Sequence, residues 1–83
     1  MEAFKERLVN EYTELAKRHE KLMAFTSSNE KYKELDYANQ ALLMQQSAWM
    51  LGYKNTLLQR IALLFDNDEI TEFTNTHLQN ETI

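Results

Sequence analysis

The 83-residue chain has no cysteine, no proline and a single glycine, Gly52. Without cysteine there are no disulfides, no thiolate metal sites and no cysteine nucleophile. With one glycine, phosphate-cradling glycine loops are excluded and tight β-hairpin turns are disfavoured. No apolar run approaches the ~20 residues of a membrane span. Glu2, Lys5, Glu6 and Arg7 leave the start of the chain without the uncharged core of a secretory signal. The net charge is −4, with nine Lys and Arg against thirteen Asp and Glu. All nine cations and eight of the acids fall in residues 1–65, for a net +1. Asp66, Asp68, Glu69, Glu72 and Glu81 give residues 66–83 a net −5. A chain of this balance lacks the basic stripe of a DNA binder, whereas a few cations in the body suffice for a small anion.

An apolar content of 43% with 27% charged residues is that of a folded chain. Leu8, Tyr12, Leu15, His19 and Leu22 step by four and three, which predicts one face of a helix over about residues 2–25. Glu14 with Lys17 and Arg18 adds acid–base pairs at helical spacing. Ser27 followed by Glu30 reads as a capping box, opening a short helix over 28–35. Asp36 is a good N-cap for a long third helix running to about residue 65. Leu43, Met50, Leu57 and Leu64 recur every seven residues there, a seam of coiled-coil type. Gly52 marks a bend, a weak point or a close helix contact. Asp66 or Asn67 caps a last short helix, about 68–78, and this end is expected to fray unless a partner holds it. The expected architecture is all-α: a hairpin of two long helices with a short connecting helix over 1–65, followed by an acidic polar segment over 66–83. So small a chain, with an apolar third helix, is expected to self-associate.

Few residues carry chemistry. His19 has only His77 as a second histidine, too few for a zinc site, and no serine–histidine–acid pattern is present. The chain therefore reads as a non-enzyme with no cofactor and no metal. Tyr12 lies mid-stripe, either as a core-edge tyrosine or as a platform on which a base stacks. Gln46, Tyr53 and Arg60 are seven apart, either as ordinary flanking positions with Arg60 snorkelling or as an edge that faces a ligand or a subunit. Ser27, Ser28 and Lys31 cap a helix start, which can also receive a phosphate.

The order of residues is informative beyond spacing. Arg7, Glu11, Glu14-Leu15, Lys17-Arg18, Lys21-Leu22 and Phe25 are followed by Ser28-Asn29-Glu30-Lys31-Tyr32 and Leu35. Leu42-Leu43, Gln46, Met50, Tyr53, Leu57 and Arg60-Ile61 complete the pattern. Over about residues 4–61 this resembles the phage anti-CBASS sponge family. The resemblance implies a helical hexamer in the cytoplasm of an infected bacterial host. It binds cyclic dinucleotides, and in some members cyclic trinucleotides, and sequesters these immune messengers without cleaving them. On that resemblance Tyr12 stacks on a base and Arg60 meets phosphate. Ser27, Ser28 and Lys31 match the connector that touches the ligand, and Phe73 and Asn80 fall in a segment that closes over it. The family's connector often holds a glycine, which this chain lacks, so a trinucleotide site is less well matched than a dinucleotide site. A different class stays open on the residues alone. A small helical phage adaptor would inhibit a host protein through a coiled-coil-type face, for which Trp49 and Met50 are suited.

Overall fold

The computed structural model describes residues 1–78 and is helical from end to end, with no strand among them. Helix α1 spans Ala3–Ser28, α2 Glu30–Glu34, α3 Tyr37–Leu64 and α4 Asn67–Phe73, and a π-helical turn, Thr74–Leu78, follows. Helices α1 and α3 pair as an antiparallel hairpin, and the molecule measures 47 × 23 × 17 Å.

The α1 stripe is as its spacing predicts. Leu8, Tyr12, Leu15 and His19 are buried and Leu22 is half-buried. The break after α1 is built differently from the expected capping box. The Ser27 and Ser28 hydroxyls both donate back to the Ala24 carbonyl, at 3.4 and 3.0 Å, so both serines stay in α1. Asn29 caps α2 instead, its Oδ1 accepting from the Lys31 amide at 2.8 Å. A serine hydroxyl can serve either its preceding turn or the next helix, and here the preceding turn wins. The Gln40 side-chain amide donates to the carbonyls of Tyr32 and Leu35, at 3.0 and 3.1 Å, and ties α2 to the start of α3.

Asp36 caps α3 as expected, accepting from the Asn39 amide at 2.8 Å. The seven-residue seam holds at Leu57 and, half-buried, at Leu43 and Met50, but Leu64 is 43% exposed. Ile61 and Phe65 are buried in its place. A straight α-helix drifts ~20° per heptad, so a seven-residue row leaves the interface and rows at three and four replace it. Helix α3 passes through Gly52 without interruption, and a Cβ built there meets nothing within 4 Å.

Residues 66–73 turn back onto α1. Asp66 and Glu69 form a reciprocal capping box, with Asp66 Oδ1 accepting at 2.8 Å and Glu69 Oε1 at 3.0 Å. Lys5 Nζ meets Glu69 Oε1 at 2.9 Å, with side chains only 13% and 19% exposed. The same ammonium lies 5.7 Å from the centroid of Phe65. Phe73 closes the core beside Leu8, Val9, Tyr12 and Phe65. Residues 66–73 are thus held by the chain itself, not by a partner, through an ion pair and an aromatic anchor.

Candidate functional site

The turn of α4 toward α1 leaves a groove of about 570 Å³ along the hairpin. Tyr12, Thr13, Lys17, Lys54, Thr76 and His77 are among the residues that line it. This is within the size range of small-ligand clefts, ~300–1,000 Å³. Helical spacing puts Tyr12, Thr13 and Lys17 on adjoining turns of α1, and α3 brings Lys54 across from them. The π-helical turn supplies Thr76 and His77. Two lysines outnumber the single carboxylate on the rim, Glu20. Thr13 Oγ1 donates to the Val9 carbonyl at 2.9 Å and lies 3.3 Å from His77 Nδ1. With its one proton committed, the hydroxyl accepts from an Nδ1–H, which leaves His77 Nε2 as the ring's other polar atom.

Tyr12 is 1% exposed, and Phe73 covers it edge-on. Beside the groove, His19 is buried, with Nε2 3.1 Å from Ser47 Oγ and with Nδ1 lacking a hydrogen-bond partner among the described residues. Burial, and then the nearby Lys54 charge, hold the His19 imidazole below its usual range.

Arg60 lies elsewhere. It borders a second groove of about 330 Å³ with Phe4, Arg7, Leu8 and Glu11. Tyr53 stands next to this region. A hydrogen bond to Glu11 is the main cause that raises its phenol above the ordinary value, and the Arg60 charge opposes it. Ser27, Ser28 and Lys31 are exposed at the opposite end of the hairpin. From Arg7, beside Arg60, to Ser28 is about 30 Å at ~1.5 Å per residue. Within one copy the structure does not bring Tyr12, Arg60 and the connector residues to one place. Phe73 is a core residue in contact with Tyr12, and Asn80 lies outside the described residues. Sequence reasoning did not single out Lys17, Lys54, Thr76 or His77 as groove residues. For the two lysines the signal was the antiparallel pairing of α1 with α3. For Thr76 and His77 no pattern foretells a π-helical turn.

No helix among the described residues is long and apolar enough to cross a membrane. Comparison with curated proteins and with solved structures gives no match. A family model described as Sequestin matches residues 2–63, which span α1, α2 and nearly all of α3. That name speaks for a protein that holds a ligand rather than one that transforms it. With three-quarters of its length matched, the chain belongs to the Sequestin family.

Proposed function

We propose that this protein binds cyclic di- or trinucleotide messengers of the host CBASS defence and sequesters them uncleaved, as an immune-evasion protein of a phage acting in the cytoplasm of the infected cell. The observation that carries the reading is the groove lined by Lys17, Lys54 and His77 together with Tyr12, in a chain of the Sequestin family. A cyclic oligonucleotide presents flat bases and ionised phosphodiesters. Its bases call for an aromatic surface and its phosphates for cationic donors.

Phosphate on this reading meets Lys17 and Lys54, with Thr76 and His77 adding donors from the C-terminal turn. Tyr12, 1% exposed beneath Phe73, stacks on a base only when Phe73 gives way. Arg60 with Arg7, and the connector residues Ser27, Ser28 and Lys31, reach the same ligand only from neighbouring copies. The reading therefore includes an oligomer, six copies on the resemblance. Sequestration asks only for affinity and abundance, and no residue is assigned a catalytic role.

The alternative, an adaptor that inhibits a host protein, draws on the exposed apolar side of α3, where Trp49 is 69% exposed. The two readings separate in one experiment. Purified protein is mixed with a panel of cyclic di- and trinucleotides and passed through a size-exclusion filter, with melting followed in parallel. Retention of at least one messenger, with a raised Tm and intact nucleotide on release, is the expected result. Complete recovery of every messenger in the flow-through, with no shift in Tm, overturns the reading.

A further inference from the structure

The groove beside Tyr12 has two unlike ends. It follows α1 from Tyr12 to Met23, a rise of about 16 Å along the helix axis. At the Tyr12 end the π-helical turn closes in, with His77 Nδ1 3.3 Å from Thr13 Oγ1. Lys17 stands one turn farther along α1, and Lys54 joins it from α3. These are the groups that the sequestration reading gives to phosphate. Past Lys17 the lining changes to Glu20 and Met23. Glu20 is exposed, and Met23 is 44% exposed.

A carboxylate in a groove for a polyanion needs a reason. An ionised carboxylate only accepts hydrogen bonds, and it repels phosphate. Glu14, on the same helix, is paired with Arg18 at 3.5 Å, and Glu30 with Lys33 at 3.4 Å. Glu20 lies three residues after Lys17 and one before Lys21, yet it makes no ion pair among the described residues. Both of its oxygens are open to whatever enters the groove.

We infer that Glu20 reads a base of the bound ring and selects guanine. The inference rests on the sequestration reading and supplies what that reading leaves open, the identity of the base. Guanine sets two N–H donors side by side on its pairing edge, N1–H and the 2-amino group, and together they match the two oxygens of one carboxylate. Adenine and cytosine place a bare ring nitrogen beside their amino group. Uracil places a carbonyl on each side of its single N–H. Those lone pairs meet the carboxylate and oppose it.

Met23 completes the recognition. It lies three residues beyond Glu20 and lines the same end of the groove. Its thioether is polarisable and packs well against aromatic rings, so the edge of the base falls to Glu20 and its face to Met23, as an unpaired base is read. From Lys17 the axial rise is about 4.5 Å to Glu20 and about 9 Å to Met23, which orders phosphate, base edge and base face along one helix. This base is held with Phe73 still seated on Tyr12.

The test uses the full chain and four cyclic dinucleotides, holding two guanines, two hypoxanthines, two adenines or two uracils, each titrated calorimetrically. Hypoxanthine keeps N1–H and lacks the 2-amino group. The parent is expected to bind the guanine ring at least about tenfold more tightly than the adenine and uracil rings, with hypoxanthine between. Glu20→Gln keeps the size of the side chain and removes its charge. It is expected to lower guanine-ring affinity at least about fivefold while adenine-ring affinity holds or rises, with unchanged helical circular dichroism. An opposing charge with no role in reading gives a different sign: Glu20→Gln then raises the affinity of all four rings alike, and that result overturns the inference. A parent that binds the four rings equally, or a Glu20→Gln variant with the parent's preference, overturns it as well and leaves sequestration standing. A parent that binds none of the rings overturns both.

Discussion

Phe73 meets Tyr12 edge-to-face, with ring centroids 5.4 Å apart and an interplanar angle of 69°. The contact joins the last turn of α4 to the middle of α1, and it makes Tyr12 both a core residue and a groove wall. A change at Tyr12 therefore acts on stability and on the groove together, and any test of its role must hold one of them constant. Tyr12→Phe retains the ring and Tyr12→Leu retains apolar bulk without it. If a base stacks here at ~1–3 kcal/mol, Tyr12→Leu weakens messenger binding by roughly 5- to 150-fold. Tyr12→Phe stays within about threefold of the parent on the same stacking argument. Calorimetric titration of both variants checks this, and comparable affinities for Leu and Phe would remove stacking at this ring.

Phe73 itself is 4% exposed and lies between Tyr12, Phe65 and His77. Truncating it leaves a cavity that α4 can close only by leaving α1. Phe73→Ala is expected to cost about 3 kcal/mol, the low end for a buried phenylalanine, because a terminal element can relax. Limited proteolysis should then cut between Phe65 and Leu78 in the variant and much more slowly in the parent. A loss below about 1 kcal/mol with unchanged proteolysis would mean that Phe73 does not anchor the segment.

Much of this architecture is legible in the residue order, and its misses have local causes. The Leu8–Tyr12–Leu15–His19 stripe needs only the 3.6-residue period, and the caps at Asp36 and Asp66 need only a short acceptor before an apolar helix. The Leu43–Leu64 row fails at its far end because seven is not a multiple of 3.6, so Ile61 and Phe65 take the interior. Ser27 misleads because a serine hydroxyl can donate to a carbonyl of the turn before it or accept from an amide of the helix after it, and Asn29, two residues on, is the cap instead. The groove was the least legible part. Lys17 and Lys54 are 37 positions apart in sequence order, and only the register of α1 on α3 brings them to one groove. The return of α4 rests on Lys5 finding Glu69, which no local pattern encodes.

His19 gives the fold an acid-sensitive element. Burial disfavours the imidazolium, so the folded chain holds this proton less readily than the unfolded chain. Unfolding then takes up a proton below the ordinary histidine value of 6.5. The contribution is fully present above that pH and is lost as pH falls toward the lowered folded-state value. Urea denaturation between pH 7.5 and 5 is expected to show falling stability below about 6.5, and His19→Gln is expected to flatten that slope while retaining a partner for Ser47. Parallel slopes for parent and variant would assign the acid sensitivity to other groups.

Lys54 and Arg60 are the cations of α3, and they line different grooves. The family resemblance puts Arg60 at the phosphate, where arginine can donate two parallel hydrogen bonds. Within one copy it is Lys54 that shares a groove with Tyr12. Lys54 stands in the groove with Tyr12, close enough to His19 to lower its pKa, whereas Arg60 shares its groove with Arg7 and Glu11. A hydrogen bond to a charged group contributes ~1.5–3 kcal/mol, so Lys54→Met should weaken messenger binding by at least about tenfold. That variant keeps an apolar stem of similar length, which protects the fold. Arg60→Ala should weaken binding less at protein concentrations where copies separate, and more where they associate, because only a neighbour carries Arg60 to the ligand. Titrations of both variants at low and high protein concentration distinguish the cases. If Lys54→Met binds like the parent while Arg60→Ala loses affinity at every concentration, the phosphate lies in the groove of Arg7 and Arg60.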